Sequence, residues 1–132
     1  MRITDNLIED ISNAPDWFFD AIKIEPQECE IENVKGNLSY SKWQCESKNK
    51  NLLILIHGTG AHKKWWYPIA PQFTKNTNVI AVDLPGMGDS GFREKYSIKD
   101  FGQCIISIIE KEKSDMLIDN VSIVGHSLGG QV

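Results

Sequence analysis

Val121-Ser122-Ile123-Val124-Gly125-His126-Ser127-Leu128-Gly129-Gly130 joins a strand-like apolar run directly to a glycine-rich turn. The turn fits the pattern Gly-x-Ser-x-Gly, in which the serine lies on a tight bend between a β-strand and a helix. Such a bend projects the hydroxyl from the edge of a sheet, and flanking glycines keep the neighbouring backbone from colliding there. Ser127 is therefore the candidate nucleophile, and Gly125, His126 and Gly129 are predicted to support the turn.

Two further apolar runs upstream predict buried strands, at residues 52–56 and 78–83. Continuous runs of this kind are typical of strands that are covered on both faces, and we expect the run at 121–124 to be buried in the same way. Helix-like patterns separate the three runs. In the first, Trp65 or Trp66, Ile69, Ala70 and Phe73 suit a helix face, although Pro68 and Pro71 confine its regular part. The second begins at Ser97, with Asp100 completing a weak capping box, and has its stripe at Ile98, Phe101, Ile105 and Ile108. This alternation predicts the α/β class, with parallel strands and crossover helices.

Residues 28–43 alternate between apolar and polar side chains around the turn signal Lys35-Gly36-Asn37, which predicts an antiparallel hairpin at one edge of the sheet. Residues 1–27 are predicted to be an amino-terminal arm that Trp17-Phe18-Phe19 attaches to the core. With 132 residues in total, the chain is at most one domain. We assign residues 28–132 to that domain.

Composition and charge exclude several classes of partner. The net charge is −4, which argues against binding to nucleic acid or to an anionic membrane. The longest aliphatic run, at 52–56, is far too short to span a bilayer, and the amino terminus does not resemble a signal peptide. The three cysteines form no Cys-x-x-Cys pair, and the three histidines lack the spacing of a helical zinc site. We therefore expect a cytoplasmic protein that needs no metal or other cofactor.

A second glycine-rich loop, His57-Gly58-Thr59-Gly60, follows the apolar run at 52–56. Glycines in such a loop allow a backbone N–H to turn towards a developing oxyanion. We predict that the Thr59 N–H and the Leu128 N–H, next to the nucleophile, form an oxyanion hole. Each donor of this kind contributes roughly 2.7–4 kcal/mol of transition-state stabilisation.

Together with Asp83-Leu84-Pro85-Gly86-Met87-Gly88-Asp89-Ser90, these two loops resemble the successive landmarks of the α/β-hydrolase superfamily, in its serine-dependent, esterase-like and haloperoxidase-like branch. The resemblance covers about residues 28–132. It implies the α/β-hydrolase fold and a serine hydrolase that cleaves a carboxylic ester or related acyl compound, a small-molecule substrate of unstated size, through an acyl-enzyme intermediate. It also implies a structural role for His57. Epoxide hydrolases and haloalkane dehalogenases of this fold carry Asp where Ser127 stands, so the resemblance disfavours both activities.

The chain departs from the family pattern after the nucleophile. Members of the superfamily place the acid and then the histidine base after the serine, whereas only residues 128–132 follow it here. The expectation is an amino-terminal half of the fold that ends at the nucleophile elbow. Because a serine hydroxyl without a base is a weak nucleophile, we expect the full-length parent to be the enzyme and this truncated chain to be inactive.

Other functions fit parts of the same sequence. One alternative is a non-catalytic scaffold of the same fold, and others are a C–C bond hydrolase, a thioesterase or a perhydrolase. Gly58-Thr59-Gly60 with Asp83 also mimics a dinucleotide-binding fingerprint, but Lys63 occupies the position of its third small residue. A triad of His57, Asp83 and Ser127 would follow a chain order that unrelated proteases use, and we prefer a structural histidine at position 57.

Overall fold

The structure of the protein, a computed structural model, describes residues 13–33 and 35–132. In this part of the chain five strands form one mixed sheet. The strands are β1 (Gln27–Asn33), β2 (Gly36–Trp43), β3 (Asn51–Ile56), β4 (Asn78–Val82) and β5 (Asn120–Gly125). They lie in the order β1-β2-β4-β3-β5; β1 and β2 form the antiparallel hairpin at one edge, and β3 is parallel to both of its neighbours. The α/β class and the hairpin that precedes the parallel strands are confirmed.

The structure has two α-helices in its described part, α1 (Asp16–Ile22) and α2 (Ile98–Met116). The helix expected over residues 65–73 is instead two short 3₁₀ helices, Lys63–Trp66 and Ala70–Phe73. Pro68 interrupts the segment, and Pro71 has no N–H to donate, so an uninterrupted α-helical ladder cannot form there. The segment still connects β3 to β4 and covers one face of the sheet.

Helix α2 begins as predicted. The Ser97 Oγ accepts a hydrogen bond from the Asp100 N–H at 3.1 Å, as an N-cap residue does. Phe101, Ile105 and Ile108 are buried. The prediction for Ile98 is wrong: its side chain is 39% exposed, because the packing of α2 on the sheet starts only at Phe101.

The core has two layers, one on each face of the sheet. On one face α2 packs on alternate residues of the strands, among them Tyr40, Ile54 and Ile80. On the other face the 3₁₀ segment contributes Ala70 and Trp66, which pack on the intervening residues of the strands. Successive side chains of a strand point to opposite faces, so β3 and β4 are buried on both faces as their apolar runs predict.

The prediction that β5 is buried is wrong. Ile123 is 54% exposed and Val124 is 46% exposed. The strand is last in the order of the sheet and pairs with β3 alone among the described strands, so one long edge and most of both faces lack cover.

Residues 1–12 of the predicted arm lie outside the described residues. The rest of the arm is attached through Ala21, which is buried, and through the Ile24 carbonyl, which accepts a hydrogen bond from the Trp43 Nε1–H at 3.1 Å. Trp17, which we expected to contribute to this attachment, is 49% exposed. Of the helices that the structure describes, none has the length and apolar character needed to cross a bilayer.

Candidate active site

The register between β3 and β5 brings the two glycine-rich loops together. The strands are parallel, and Ile56 at the end of β3 lies opposite Gly125 at the end of β5. The ladder continues one residue further, because the His126 N–H donates to the Ile56 carbonyl at 3.0 Å. Both loops therefore start side by side at the carboxyl edge of the sheet, which is where open α/β sheets bind their ligands.

Ser127 lies on a strained turn. Its φ is +53°, in the left-handed region that residues with a side chain rarely adopt. Such strain costs of order 1–3 kcal/mol and persists only where the surroundings enforce it. Here the Gly129 N–H donates to the His126 carbonyl at 2.9 Å and closes the turn as a 3₁₀ helix, Ser127–Gly130. The side chain of Ser127 is exposed at the edge of the sheet.

Glycines make this turn possible by leaving room for the backbone. A Cβ on Gly125 would overlap the Gly129 carbonyl oxygen. A Cβ on Gly129 would overlap the Ile56 carbonyl oxygen and lie 2.7 Å from that of His57. Gly129 thus packs backbone against backbone on the end of β3. Alanine at 125 would distort the turn itself, and alanine at 129 would force the two loops apart.

Gly58 lies directly against the Ser127 turn. A Cβ built at this position would lie 3.0 Å from the His126 Nδ1 and 3.2 Å from the Ser127 Cβ. The next residues, Thr59 and Gly60, are exposed. Within the described residues, neither the Thr59 N–H nor the Leu128 N–H donates to a backbone acceptor.

His57 is fully buried and engaged on both sides of its ring. Nε2 accepts a hydrogen bond from the Leu84 N–H at 3.1 Å, so the proton is on Nδ1, which donates to the Gly58 carbonyl at 2.7 Å. Burial lowers the pKa of His57, in keeping with a neutral ring. Neither ring nitrogen bonds to Asp83 or Ser127, so the alternative triad of these three residues is not assembled.

His126 and Trp65 form an aromatic pair next to Ser127, the predicted nucleophile. Their rings are stacked, with centroids 5.8 Å apart and planes at 22°. Trp65 is 59% exposed, so the face of the pair is open to solvent.

A separate cavity of about 620 Å³ lies further along the sheet edge. Pro85, Phe92 and Cys104 line this cavity, and Ser127 does not. Within residues 13–33 and 35–132, no three His, Cys, Asp or Glu side chains are grouped closely enough to hold a metal ion.

Sequence reasoning missed the role of Lys63, which follows the predicted oxyanion loop. Its side chain is buried, and its Nζ lies 2.8 Å from the Asp89 Oδ2 and 3.3 Å from the Asp83 Oδ2. The signal was available in the pairing of a lysine after β3 with two aspartates after β4, since adjacent parallel strands end at the same edge. The pattern alone did not predict that the lysine would be buried.

Comparisons with known proteins are consistent with this geometry. The chain is 32% identical over 81 residues to a pimeloyl-[acyl-carrier protein] methyl ester esterase of Pseudoalteromonas atlantica, a match that covers 60% of this chain and 28% of the esterase. It is 33% identical over 81 residues to an (E)-2-((N-methylformamido)methylene)succinate hydrolase of Acinetobacter baylyi, with 61% of this chain and 29% of that protein covered. The chain thus spans less than a third of the length of these curated relatives.

Solved structures give the same fold. An N-acyl homoserine lactonase, AidH, solved in complex with N-butanoyl homoserine, is 26% identical with a TM-score of 0.65; the match covers 80% of this chain and 38% of the lactonase. A thioesterase domain from the curacin biosynthetic pathway is 25% identical with the same TM-score of 0.65, and 79% of this chain and 36% of that domain are covered. The family model described as the alpha/beta hydrolase family matches residues 53–132. The chain therefore belongs to the alpha/beta hydrolase family.

Proposed function

We propose that the protein is a serine hydrolase that cleaves a carboxylic ester or a related acyl compound, with Ser127 as the nucleophile. The contact between Gly58 and the Ser127 turn supports this proposal most strongly. It brings a strained, exposed serine within van der Waals reach of a loop whose next N–H group has no backbone acceptor among the described residues. A nucleophile beside preorganised N–H donors is the arrangement that acyl transfer requires.

In the proposed mechanism the Ser127 Oγ attacks the carbonyl carbon of the substrate while a histidine base takes its proton. The carbonyl oxygen becomes an oxyanion, which the Thr59 and Leu128 N–H groups stabilise. The histidine then returns the proton to the departing alcohol and leaves an acyl-enzyme. Water, activated by the same histidine, attacks the acyl group and regenerates the Ser127 hydroxyl.

The base and the acid that orients it are proposed to come from polypeptide outside residues 1–132. Both ring nitrogens of His57 are engaged elsewhere, and within the described residues no side chain hydrogen-bonds to the Ser127 Oγ. We accordingly propose that the full-length protein is the catalyst and that residues 1–132 alone do not turn over substrate. It also treats residues 1–27 as an arm and residues 28–132 as the first part of the hydrolase domain.

The proposed substrates are small esters or lactones. The relatives support this choice, since one is named for a methyl ester and another was solved with an acyl homoserine. The three cysteines are free thiols, which fits a reducing cytoplasm as the proposed location. The proposed chemistry needs no cofactor.

The test is hydrolysis of p-nitrophenyl acetate by the protein as its gene encodes it. We expect Ser127→Ala to lower kcat by at least about 1,000-fold, because it removes the nucleophile of the acyl-enzyme. Ser114→Ala is the matched control, since it makes the same change at an exposed position of α2, and we expect its kcat to stay within about twofold of wild type. A fluorophosphonate probe should label the wild type and the control but not Ser127→Ala.

Three results would contradict the proposal. Equal hydrolysis by wild type and Ser127→Ala would assign the activity to another group. No hydrolysis and no labelling in a folded full-length protein would favour a non-catalytic scaffold of the same fold. Saturable binding of NADH, seen as quenching of tryptophan fluorescence, would favour the dinucleotide-binding alternative.

A further inference from the structure

The loop that carries the predicted oxyanion donor Thr59 runs over residues 57–63. Hydrogen bonds hold both of its ends to two consecutive residues that follow β4, Asp83 and Leu84. At the first end, the Leu84 N–H donates to the His57 Nε2 at 3.1 Å. At the second end, the Lys63 N–H donates to the Asp83 Oδ1 at 2.6 Å. Between the two bonds lie Thr59 and Gly60, which are exposed. The position of the Thr59 N–H thus depends on two anchors rather than on packing of its own side chain.

The second anchor depends on the side chain of Lys63. Its ammonium donates to the Ser39 Oγ at 2.6 Å and to the Asp89 Oδ2 at 2.8 Å, and it lies 3.2 Å from the Glu28 Oε2. It also lies 3.3 Å from the Asp83 Oδ2. Burial alone would lower the pKa of Lys63, but the surrounding carboxylates outweigh it and raise the pKa above its usual range. The lysine is therefore a permanent cation at the centre of three carboxylates.

Asp83 is held in place by its neighbours as well as by this charge. Its Oδ2 accepts a hydrogen bond from the Asp89 N–H at 2.9 Å, and a Cβ on Gly88 would overlap its carboxylate. The side chain of Asp83 is almost fully buried. Without the ammonium, Asp83 would be a buried carboxylate facing Asp89 and Glu28, and the repulsion would displace it from the Lys63 N–H.

We propose that Lys63 is a positioning residue for catalysis: its buried ammonium holds the Asp83 carboxylate against the Lys63 N–H and thereby fixes the Thr59 N–H beside Ser127. This inference rests on the proposed function for its catalytic consequence. The anchoring of the loop is independent of that function. Lys63 acts through Asp83 and the backbone, and it contacts no reacting atom.

The experiment compares Lys63→Met with Lys64→Met in the protein as its gene encodes it. Both variants remove one lysine from the same 3₁₀ helix, but Lys64 is exposed. Hydrogen exchange measured by mass spectrometry on a peptide that covers residues 57–65, and so includes the hydrogen-bonded N–H groups of Ala61 and Lys63, reports on the loop without any substrate. We expect Lys63→Met to speed exchange in this peptide by at least about tenfold and Lys64→Met to leave it within about twofold of wild type.

The catalytic readout is hydrolysis of p-nitrophenyl acetate by the same proteins. We expect Lys63→Met to lower kcat by about tenfold or more with KM within about twofold, because a displaced oxyanion donor affects the transition state more than the bound ester. A general loss of structure would not give this split with an unchanged melting temperature. Lys64→Met should retain both kinetic constants.

If Lys63→Met fails to fold, Asp89→Asn carries the test. The Asp89 side chain is 70% exposed, and the substitution removes one charged partner of the lysine and keeps the Asp89 backbone bond to Asp83. We then expect hydrogen exchange about threefold faster and kcat about threefold lower.

Unchanged exchange in a folded Lys63→Met variant would overturn the anchoring. If that variant does not fold, unchanged exchange in Asp89→Asn would overturn it. Faster exchange with unchanged kcat would overturn its role in catalysis, whereas failure of Ser127→Ala to lower activity would overturn the proposed function alone.

Discussion

Strands β3 and β5 are neighbours in the sheet and carry similar apolar sequences, yet their surroundings differ sharply. Ile54 of β3 lies directly opposite Ile123 of β5; the first is 0% exposed and the second is 54% exposed. β3 has a strand on each side and a packed layer on each face, whereas β5 forms the edge of the described sheet. Burial here follows from position in the sheet rather than from the residue type.

The two loops that follow β3 and β5 also differ in how firmly the surrounding residues hold them. The loop after β3 is fastened by His57 and Lys63 to the end of β4. The loop after β5 carries the exposed Ser127. The described polar interactions thus fix the loop that carries the predicted oxyanion donor, whereas Ser127, the predicted nucleophile, is exposed in the described part of the chain.

The largest expected effect tests the contrast between the strands directly. Ile54→Ala should lower the free energy of unfolding by about 4 kcal/mol, because it leaves a cavity between two packed layers. Ile123→Ala, the same change at the opposite residue, should cost less than about 1 kcal/mol. Urea denaturation of residues 1–132 measures both values. Equal losses would mean that β5 is as well covered as β3.

The second prediction compares a buried ion pair with an exposed one. The Lys42 Nζ lies 3.0 Å from the Glu112 Oε2 under α2, and Glu112 also accepts a hydrogen bond from the Tyr40 hydroxyl at 2.6 Å. Lys42→Met should cost about 3 kcal/mol, since it leaves a buried carboxylate without its cation. Lys111→Met removes an exposed pair with Asp115 from the same helix and should cost less than about 1 kcal/mol.

The measurement is again urea denaturation, with the double variant Lys42→Met/Glu112→Leu as a further control. The double variant should recover most of the lost stability, because no unpaired charge remains. Similar small losses in both single variants would show that water reaches Glu112.

A third, smaller effect is expected within the Ser127 turn. Gly125→Ala should cost about 2 kcal/mol, because its Cβ would overlap the Gly129 carbonyl oxygen and distort the turn. Gly102→Ala in α2 should be neutral or stabilising by up to about 1 kcal/mol, since a Cβ there makes ordinary contacts and alanine favours a helix. Thermal unfolding compares the two variants, and a neutral Gly125→Ala would contradict the described turn.

The smallest expected effect is a pH dependence of the free energy of unfolding, caused by His57 in the loop after β3. Burial lowers the pKa of His57 below the ordinary value of 6.5, so the unfolded chain binds the proton first as the pH falls. The free energy of unfolding should therefore decrease from about pH 6.5 downwards until the pH passes the lowered pKa of the folded state. His57→Gln should reduce this slope in denaturation series between pH 5 and pH 8. An unchanged slope would assign the pH dependence to other groups.

The sequence predicted the parallel strands, the hairpin and the place of Ser127 because each depends on local patterns. An apolar run needs a buried strand, and Gly125 and Gly129 permit the tight turn around the serine. The patterns at Ile98, at residues 65–73 and at β5 were less reliable. At Ile98 and at β5 the structure depends on neighbours that a local pattern does not contain, such as the part of the sheet that α2 reaches. At residues 65–73 the prolines belong to the pattern itself, and they confine its regular part.

The amino-acid sequence by itself determined the fold class, the order of strands and helices, and the glycine-flanked serine at the end of β5. Periodicity and turn chemistry are properties of neighbouring residues in the chain, so they can be read directly. The tertiary structure alone decided that β5 is exposed, that His57 bonds to Leu84, and that Lys63 is buried against Asp83. These contacts join residues about 20 or more positions apart, and they form because adjacent parallel strands end at one edge of the sheet.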